Sequence, residues 1–259
     1  MSASRILLVC IFLLGFFLRF YKISGVPVSL FWDEASHAYN AYSILNTGRD
    51  EYGERYPLIL RSFDDYKRAG YAYLTILPVA LFGLNEFSTR FTSAFLGSLT
   101  ILIVFFLAQA LKESIFPHHG IKFSLFVTLL FAISPWQIQL SRAGFEVNVS
   151  LFFVLTGCWF FIRGITRPSY FLGSALFWSL SFYIYYNAYL FVPLFVIGSF
   201  IIFRQELRSM PKKLLVISFL IFFCLILPII PAMFTKEALT RQRQVNLFAN
   251  AEEATFESA

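Results

Sequence analysis

Long apolar stretches separated by short charged gaps are the feature that most constrains this chain. Only 14% of the 259 residues are charged and 58% are hydrophobic, whereas a soluble domain has roughly 25% charged and 45–50% apolar residues. A membrane-spanning helix needs about 20 mainly apolar residues. Such stretches lie near 4–22, 89–111, 121–139, 147–163, 169–186, 188–203 and 213–231. We therefore predict an all-α polytopic membrane protein with about seven transmembrane helices, and we exclude a soluble enzyme, a disordered chain and a nucleic-acid-binding domain.

The basic residues predict the orientation of these helices. Three gaps share an excess of Lys and Arg, eight against two acids. They are 112–122, 163–168 and 204–213. By the positive-inside rule these gaps are cytoplasmic. With a cytoplasmic N-terminus, the segments expected outside are 23–88, 140–146, a short piece near 187 and the tail from 232.

The predicted outer loop 23–88 is long and unusually charged. Its part 23–70 carries 12 of the 36 formal charges of the chain. The apolar stretch 71–84 has 14 residues and contains Pro78, so we predict a helix lying on or dipping into the outer membrane face rather than an eighth span. Long loops in compact proteins are usually functional, and we expect the site in this loop.

Two pairs of adjacent charges in the loop are candidates for chemistry. Asp33 and Glu34 follow Trp32 and begin a predicted amphipathic helix, where acids also favour a helix N-terminus through its dipole. Beside Trp32 at the membrane surface they can instead supply a general base with a raised pKa. Lys67 and Arg68 either snorkel to the surface or bind an anionic phosphate. For each pair, both alternatives stay open.

Further polar residues on the same predicted side extend this set. Arg90 lies in the first turn of the second span, where the dipole disfavours a cation, and an acid four residues earlier can pair with it. Arg142 and Glu146 are four apart and either pair on one helical face or form part of a functional site. Tyr186 and Asn187 lie in a Tyr-rich stretch that also fits an aromatic belt. Acids and cations at one membrane surface suit a lipid-linked phosphate and a hydroxyl to be deprotonated.

Five motifs in this order resemble those of the GT-C membrane glycosyltransferases. The resemblance is to the protein O-mannosyltransferase-like group, glycosyltransferase family 39, which includes the aminoarabinose transferases of lipid A. The motifs are WDEA at 32–35, a Lys before an aromatic-rich stretch, G-x-x-E-F-x-x-R-x-x-S-A-x-x-G from Gly83, S-P-W-x-I-x-x-S-R-x-x-x-E from Ser134, and the Tyr-rich stretch before Val192. The resemblance covers about residues 5–231 and implies the N-terminal seven-helix module of that fold.

The resemblance implies transfer of a sugar from a polyprenyl-phosphate donor to a protein, lipid or glycan acceptor, with inversion. The site would face the periplasm or the exterior of the cell membrane, in contact with membrane lipids. Asp33 is then expected to be the catalytic base, with Glu34 beside it. The cations expected on the donor phosphate are Lys67, Arg90 and Arg142. The residues expected to bind substrate are His37, Glu146, Tyr186 and Asn187.

Several features of the sequence leave alternatives. The Lys-Pro-Pro often seen in the family is Lys67-Arg68-Ala69 here, which weakens the assignment of Lys67. The carboxylates of Asp33 and Glu146 can hold Mg²⁺ or Mn²⁺, although nothing in the sequence demands a metal. Residues 232–259 are expected to begin a further outer loop of an incomplete chain. A transporter or flippase of lipid-linked sugars and a non-catalytic membrane subunit are the alternative functions, but a transporter would place its charges near the bilayer midplane.

Overall fold

The structure is a computed structural model that describes residues 3–62, 65–114 and 120–233. The predicted further outer loop at 232–259 lies outside these residues from position 234 onward. The helices in chain order are α1 (Ala3–Phe20), α2 (Trp32–Thr47), α3 (Gly70–Phe82), α4 (Glu86–Ser114), α5 (Ile121–Ile133), α6 (Pro135–Arg142), α7 (Glu146–Thr166), α8 (Tyr170–Ser181), α9 (Ala188–Ile202), α10 (Arg204–Arg208), α11 (Lys212–Ile226) and α12 (Ile230–Met233), with a 3₁₀ turn at Leu227–Ile229.

Four of these helices, by length and composition, can cross a membrane. They are α1, the Glu86–Leu111 part of α4, α7, and the continuous segment Lys212–Ala232 that starts with α11. The pair α5 and α6 is bent by 53° and makes a fifth crossing if it is counted as one broken span. This architecture confirms the prediction of an all-α polytopic membrane protein.

The structure differs from the prediction in the region of residues 169–203. There the predicted spans of 18 and 16 residues are replaced by α8 with 12 residues and α9 with 15. At 1.5 Å per residue, a helix of 12 residues is about 18 Å long, shorter than the hydrocarbon core of about 30 Å. Turns from Phe182 to Asn187 separate the two helices. The break is hidden in the sequence because these turn residues are mostly aromatic and apolar.

The segment between α2 and α3 contains a β-hairpin that the sequence analysis did not predict. Strands β1 (Ile59–Ser62) and β2 (Asp65–Arg68) pair antiparallel, with Leu60 opposite Lys67. The strands have only four residues each, too short for a clear alternating pattern. The hairpin leads directly into α3, which occupies the stretch predicted to be a short helix. The backbone N–H of Gly70, where α3 begins, donates to the Tyr183 carbonyl at 2.9 Å, and a Cβ at Gly70 would overlap that carbonyl.

Small and polar residues of α4 let it pack closely against α6 and α7. The Nδ2 of Asn148 donates to the Ser93 carbonyl at 2.9 Å, and a Cβ at Gly97 would overlap Ser141 Oγ. Small residues such as Ser93 and Gly97 allow helix backbones to approach closely. This contact places the start of α4 beside the loop between α6 and α7.

Candidate functional site

The first pair of the site joins α2 to the hairpin. Lys67 Nζ on β2 donates to Asp33 Oδ1 in the first turn of α2, and to Ser62 Oγ at 3.1 Å. The Lys67 side chain is buried, whereas 23% of the Asp33 side chain is exposed. The sequence places these residues 34 positions apart, and the fold brings their charges together. The pair therefore has one accessible carboxylate oriented by a buried ammonium group.

Glu34, the neighbour of Asp33, forms a fully buried ion pair with Arg90. Arg90 Nε donates to Glu34 Oε1 at 2.8 Å and Nη2 contacts Oε2 at 3.4 Å. The remaining donors of Arg90 reach the carbonyls of Ile23, Pro27 and Ser29 at 2.8–2.9 Å. A guanidinium has five N–H groups, and here all five have protein acceptors. The geometry therefore makes Arg90 the residue that holds the 23–29 segment against α4.

Glu34 also has structural contacts of its own. Its Oε2 accepts the backbone N–H of Phe31 at 2.8 Å, immediately before the start of α2. Its Oε1 accepts the backbone N–H of Gly144 at 2.9 Å. Glu34 is thus the point at which α2, α4 and the α6–α7 loop meet, and its carboxylate is inaccessible. Of the two acids, Asp33 is the one whose carboxylate is partly exposed.

Arg142 fixes the same loop segment from the other side. Its Nη1 and Nη2 donate to the carbonyls of Leu18 and Val26, each at 2.9 Å. The sequence analysis left open a pair with Glu146 on one helical face. The structure ends α6 at Arg142 and begins α7 at Glu146, so the two residues lie on different helices. Within the described residues no ion pair joins them.

Glu146 pairs instead with His37 of α2. The distance from His37 Nε2 to Glu146 Oε2 is 3.3 Å, and both side chains are buried. The other ring nitrogen of His37, Nδ1, has no hydrogen-bond partner in the described part of the chain, and the ring lies 4.9 Å from that of Tyr71. Burial, and then the charges of Glu34 and Glu146, raise the pKa of Tyr71 well above its ordinary value. Tyr71 therefore stays a neutral hydroxyl, and it donates to the Thr89 carbonyl at 3.0 Å.

The turns between α8 and α9 place three polar side chains next to the residues described above. Burial, and then the carboxylates of Glu146 and Asp33, raise the pKa of Tyr185, which places its hydroxyl in the field of both acids. Tyr186 donates to the Tyr66 carbonyl at 3.1 Å. Asn187 Oδ1 lies 3.5 Å from Ser150 Oγ, near the first turns of α7. The predicted site residues therefore converge on one end of the helix bundle.

Some residues that build the site were not identified from the sequence. Ser62, Tyr71, Gly144 and Tyr185 contact or face the charged groups, but none carries a charge that would single it out. Gly144 had one usable signal, since it lies between Arg142 and Glu146, the two charged positions of a motif noted in the sequence. The other three needed tertiary structure.

Gly144→Ala gives a test of how tightly the loop is packed at Glu34. A Cβ there would lie 2.9 Å from Tyr71 Oη, 3.3 Å from Glu34 Cγ and 3.3 Å from the Thr89 carbonyl. Overpacking of this kind costs about 1–3 kcal/mol, so we expect the free energy of unfolding in detergent to fall by that amount. Gly25→Ala is the matched control, because a Cβ at Gly25 meets nothing within 4 Å. Equal stability of the two variants would contradict this packing.

A metal does not fit the carboxylates that were its candidates. Asp33 faces Lys67 and Glu146 faces His37, so a cation would have to displace an ammonium group or an imidazole. Among residues 3–62, 65–114 and 120–233, no group of three or more His, Cys, Asp or Glu side chains could hold a metal ion. We therefore derive no catalytic step through Mg²⁺ or Mn²⁺.

Comparison with known protein families identifies a match. The family model described as dolichyl-phosphate-mannose-protein mannosyltransferase matches residues 69–231, more than half of the chain. Comparisons with curated proteins and with solved structures find no significant match. The matched segment contains Arg90, Arg142 and Glu146, and it begins after Asp33 and Lys67. The chain therefore belongs to the dolichyl-phosphate-mannose-protein mannosyltransferase family, which consists of membrane glycosyltransferases of the GT-C type.

Proposed function

We propose that this protein transfers a sugar from a polyprenyl-phosphate donor to an acceptor hydroxyl at the outer face of the membrane, with inversion at the sugar carbon. Membership of the family supports glycosyl transfer from a lipid-linked donor in general. The observation that carries the finer proposal is the Asp33–Lys67 pair, a partly exposed carboxylate oriented by a buried cation at the end of the bundle.

In the proposed reaction Asp33 is the base. The acceptor oxygen attacks the anomeric carbon of the sugar while the bond from that carbon to the phosphate oxygen breaks. The electron pair leaves with the lipid phosphate, and the acceptor proton passes to the Asp33 carboxylate. One displacement of this kind inverts the anomeric carbon. General base catalysis contributes about 10²–10⁴-fold to such a rate.

Lys67 supports this reaction by orienting Asp33. Its ammonium group has three N–H donors, of which two go to Asp33 and Ser62. We assign the third, which donates to no side chain or carbonyl among the described residues, to a substrate oxygen. Arg90 and Arg142 act as positioning residues, because their donors hold backbone carbonyls between Leu18 and Ser29.

The remaining predicted residues form the proposed wall of the sugar site. His37 and Glu146 make a buried pair next to Tyr71, and the field of Glu146 reaches Tyr185 and Tyr186. Carboxylates, imidazoles and phenols hydrogen-bond to hydroxyl groups, which is the chemistry that a sugar needs. Asn187 extends the wall toward α7.

The orientation is part of the proposal and is supported by charge. The positive-inside rule assigns the basic gaps of the chain to the cytoplasm, and the proposed site residues lie on segments expected at the opposite face. A donor carried by a lipid in the bilayer can reach this end of the bundle from the membrane.

The direct test supplies purified protein in lipid nanodiscs with two kinds of sugar donor. We expect transfer from a polyprenyl-phosphate-linked hexose or pentose to a membrane acceptor fraction, and none from the corresponding nucleotide sugar. Stereochemistry of the product at the anomeric carbon then reports inversion. Transfer from the nucleotide sugar alone would refute the proposal.

A further inference from the structure

An apolar groove runs between α8, α9 and α11, away from the Asp33–Lys67 pair. Its volume is about 550 Å³, and ligand pockets have roughly 300–1,000 Å³. Its wall includes Phe171 near the start of α8, Phe200 near the end of α9 and Leu215 near the start of α11. These positions are at the opposite ends of the helices from the turns that join α8 to α9. Among the described residues, none of those proposed for sugar transfer lines this groove.

The polar side chains in the groove already donate within the protein. Ser174 Oγ donates to a carbonyl of α7 at 3.0 Å, and Ser218 Oγ to a carbonyl of α11 at 2.8 Å. Trp178 Nε1 donates to another carbonyl of α7 at 3.3 Å. The other described lining side chains are hydrocarbon groups or phenyl rings. A polar ligand would leave its own groups without partners there, which is costly, so the groove suits a hydrocarbon chain.

The short helix α10 holds two arginines at the end of this groove. Leu207 of α10 is buried and lines the groove. The ring centre of Phe203, directly before α10, lies 6.3 Å from that of Phe161, another lining residue. With these apolar side chains turned inward, Arg204 and Arg208 are exposed. They are four residues apart, a spacing that places two side chains on the same face of a helix.

Two lysines add to the positive charge at the same end. Lys212 and Lys213 are exposed in the first turn of α11, directly before the lining residues Leu215 and Val216. Glu206 is the one acid between positions 204 and 213. No ion pair in the described part of the chain joins an acid to any of these four cations. An apolar groove that ends at several unpaired cations suits a ligand with a hydrocarbon chain and an anionic head.

We propose that this groove binds an anionic phospholipid from the leaflet that the positive-inside rule assigns to the cytoplasm. A fatty acyl chain lies in the groove, and the phosphate of the headgroup contacts Arg204, Arg208 and Lys212. Basic pockets between transmembrane helices on the cytoplasmic side bind anionic headgroups in this way. A zwitterionic lipid gains less, because its headgroup carries a cation of its own. The inference goes beyond the proposed sugar transfer and does not depend on it.

The binding test uses native mass spectrometry of the full chain in detergent, with phosphatidylglycerol and phosphatidylcholine of the same acyl chains as probes. We expect phosphatidylglycerol to bind about tenfold or more tightly, since each Lys or Arg near an anionic headgroup adds several-fold to binding. Arg204→Gln combined with Arg208→Gln should remove most of this preference. Arg55→Gln combined with Arg61→Gln is the matched control, because it removes two exposed arginines from the predicted outer loop and should leave the preference unchanged.

Three results would contradict the headgroup assignment. Equal affinity of the wild type for the two lipids overturns it, and so does an equal loss of preference in the two double variants. A full chain that binds neither lipid saturably has a groove covered by something else, such as a protein segment, and this also overturns the proposal.

A tryptophan placed in the groove tests where the acyl chain lies. Val216 and Leu220 are both exposed on α11, at 56% and 54%, but of the two only Val216 lines the groove. Val216→Trp fills the groove and should abolish saturable binding of phosphatidylglycerol, whereas Leu220→Trp should bind it like the wild type. Because both positions are exposed, we expect the unfolding temperatures of the two variants to agree. Wild-type affinity in Val216→Trp places the acyl chain elsewhere and overturns the proposal.

Discussion

Asp33→Asn is expected to lower the rate of sugar transfer by about 10²–10⁴-fold, the usual contribution of a general base. Asparagine keeps the shape of the side chain, and its oxygen can still accept a hydrogen bond from Lys67, but it cannot take up the acceptor proton. The measurement is the initial rate with a polyprenyl-phosphate-linked sugar in nanodiscs. Because Asp33 lies in the first turn of α2 and is partly exposed, we expect the folded structure to be retained.

A matched control uses an acid from the same loop. Glu54 is exposed, and Glu54→Gln removes one negative charge without touching the Asp33–Lys67 pair, so it should transfer sugar at the wild-type rate. A folded Asp33→Asn variant that is as active as Glu54→Gln would show that Asp33 is not the base.

Arg90→Met is expected to lower the free energy of unfolding by about 3–5 kcal/mol, as found when one partner of a buried ion pair is removed. The substitution leaves Glu34 as a buried carboxylate without its cation. It also leaves the carbonyls of Ile23, Pro27 and Ser29 without their donors. The measurement is equilibrium unfolding in mixed detergent micelles.

A double variant identifies the cause of that loss. Glu34→Gln removes the charge and keeps an oxygen for the N–H groups of Phe31 and Gly144, so Glu34→Gln combined with Arg90→Met should recover part of the stability. Residues that interact directly show coupling energies of about 0.5–3 kcal/mol in such cycles. Arg61→Met, at an exposed position, should change stability by less than about 0.5 kcal/mol. If the losses of stability in the single variants Glu34→Gln and Arg90→Met simply add in the double variant, the buried pair is not the source of the effect.

Hydropathy and charge were sufficient to predict the class of this protein. Apolar runs of about 20 residues leave few structures besides membrane helices, because backbone groups in lipid must bond within their own segment. The family motifs were also visible in the sequence, since they depend on the order of residues. Helix ends were harder to predict between α8 and α9, because aromatic and apolar residues continue through most of the break.

The tertiary structure decided which charged side chains contact each other. From the sequence, Arg142 and Glu146 were a candidate pair, but a break after α6 separates them, and Glu146 contacts His37 instead. Lys67 and Arg68 were read as one basic pair, but an unpredicted strand turns them to opposite faces.

The sequence by itself determined a polytopic helical membrane protein of a glycosyltransferase family, because lipid solvation and motif order act along the chain. Only the tertiary structure decided that Glu34 is buried with Arg90, that Asp33 stays accessible beside Lys67, and that Arg68 lies against the rings of Tyr186 and Tyr189. Burial and hydrogen-bond geometry depend on residues from distant parts of the chain, and these properties determine which charges hold the fold together and which can act on a substrate.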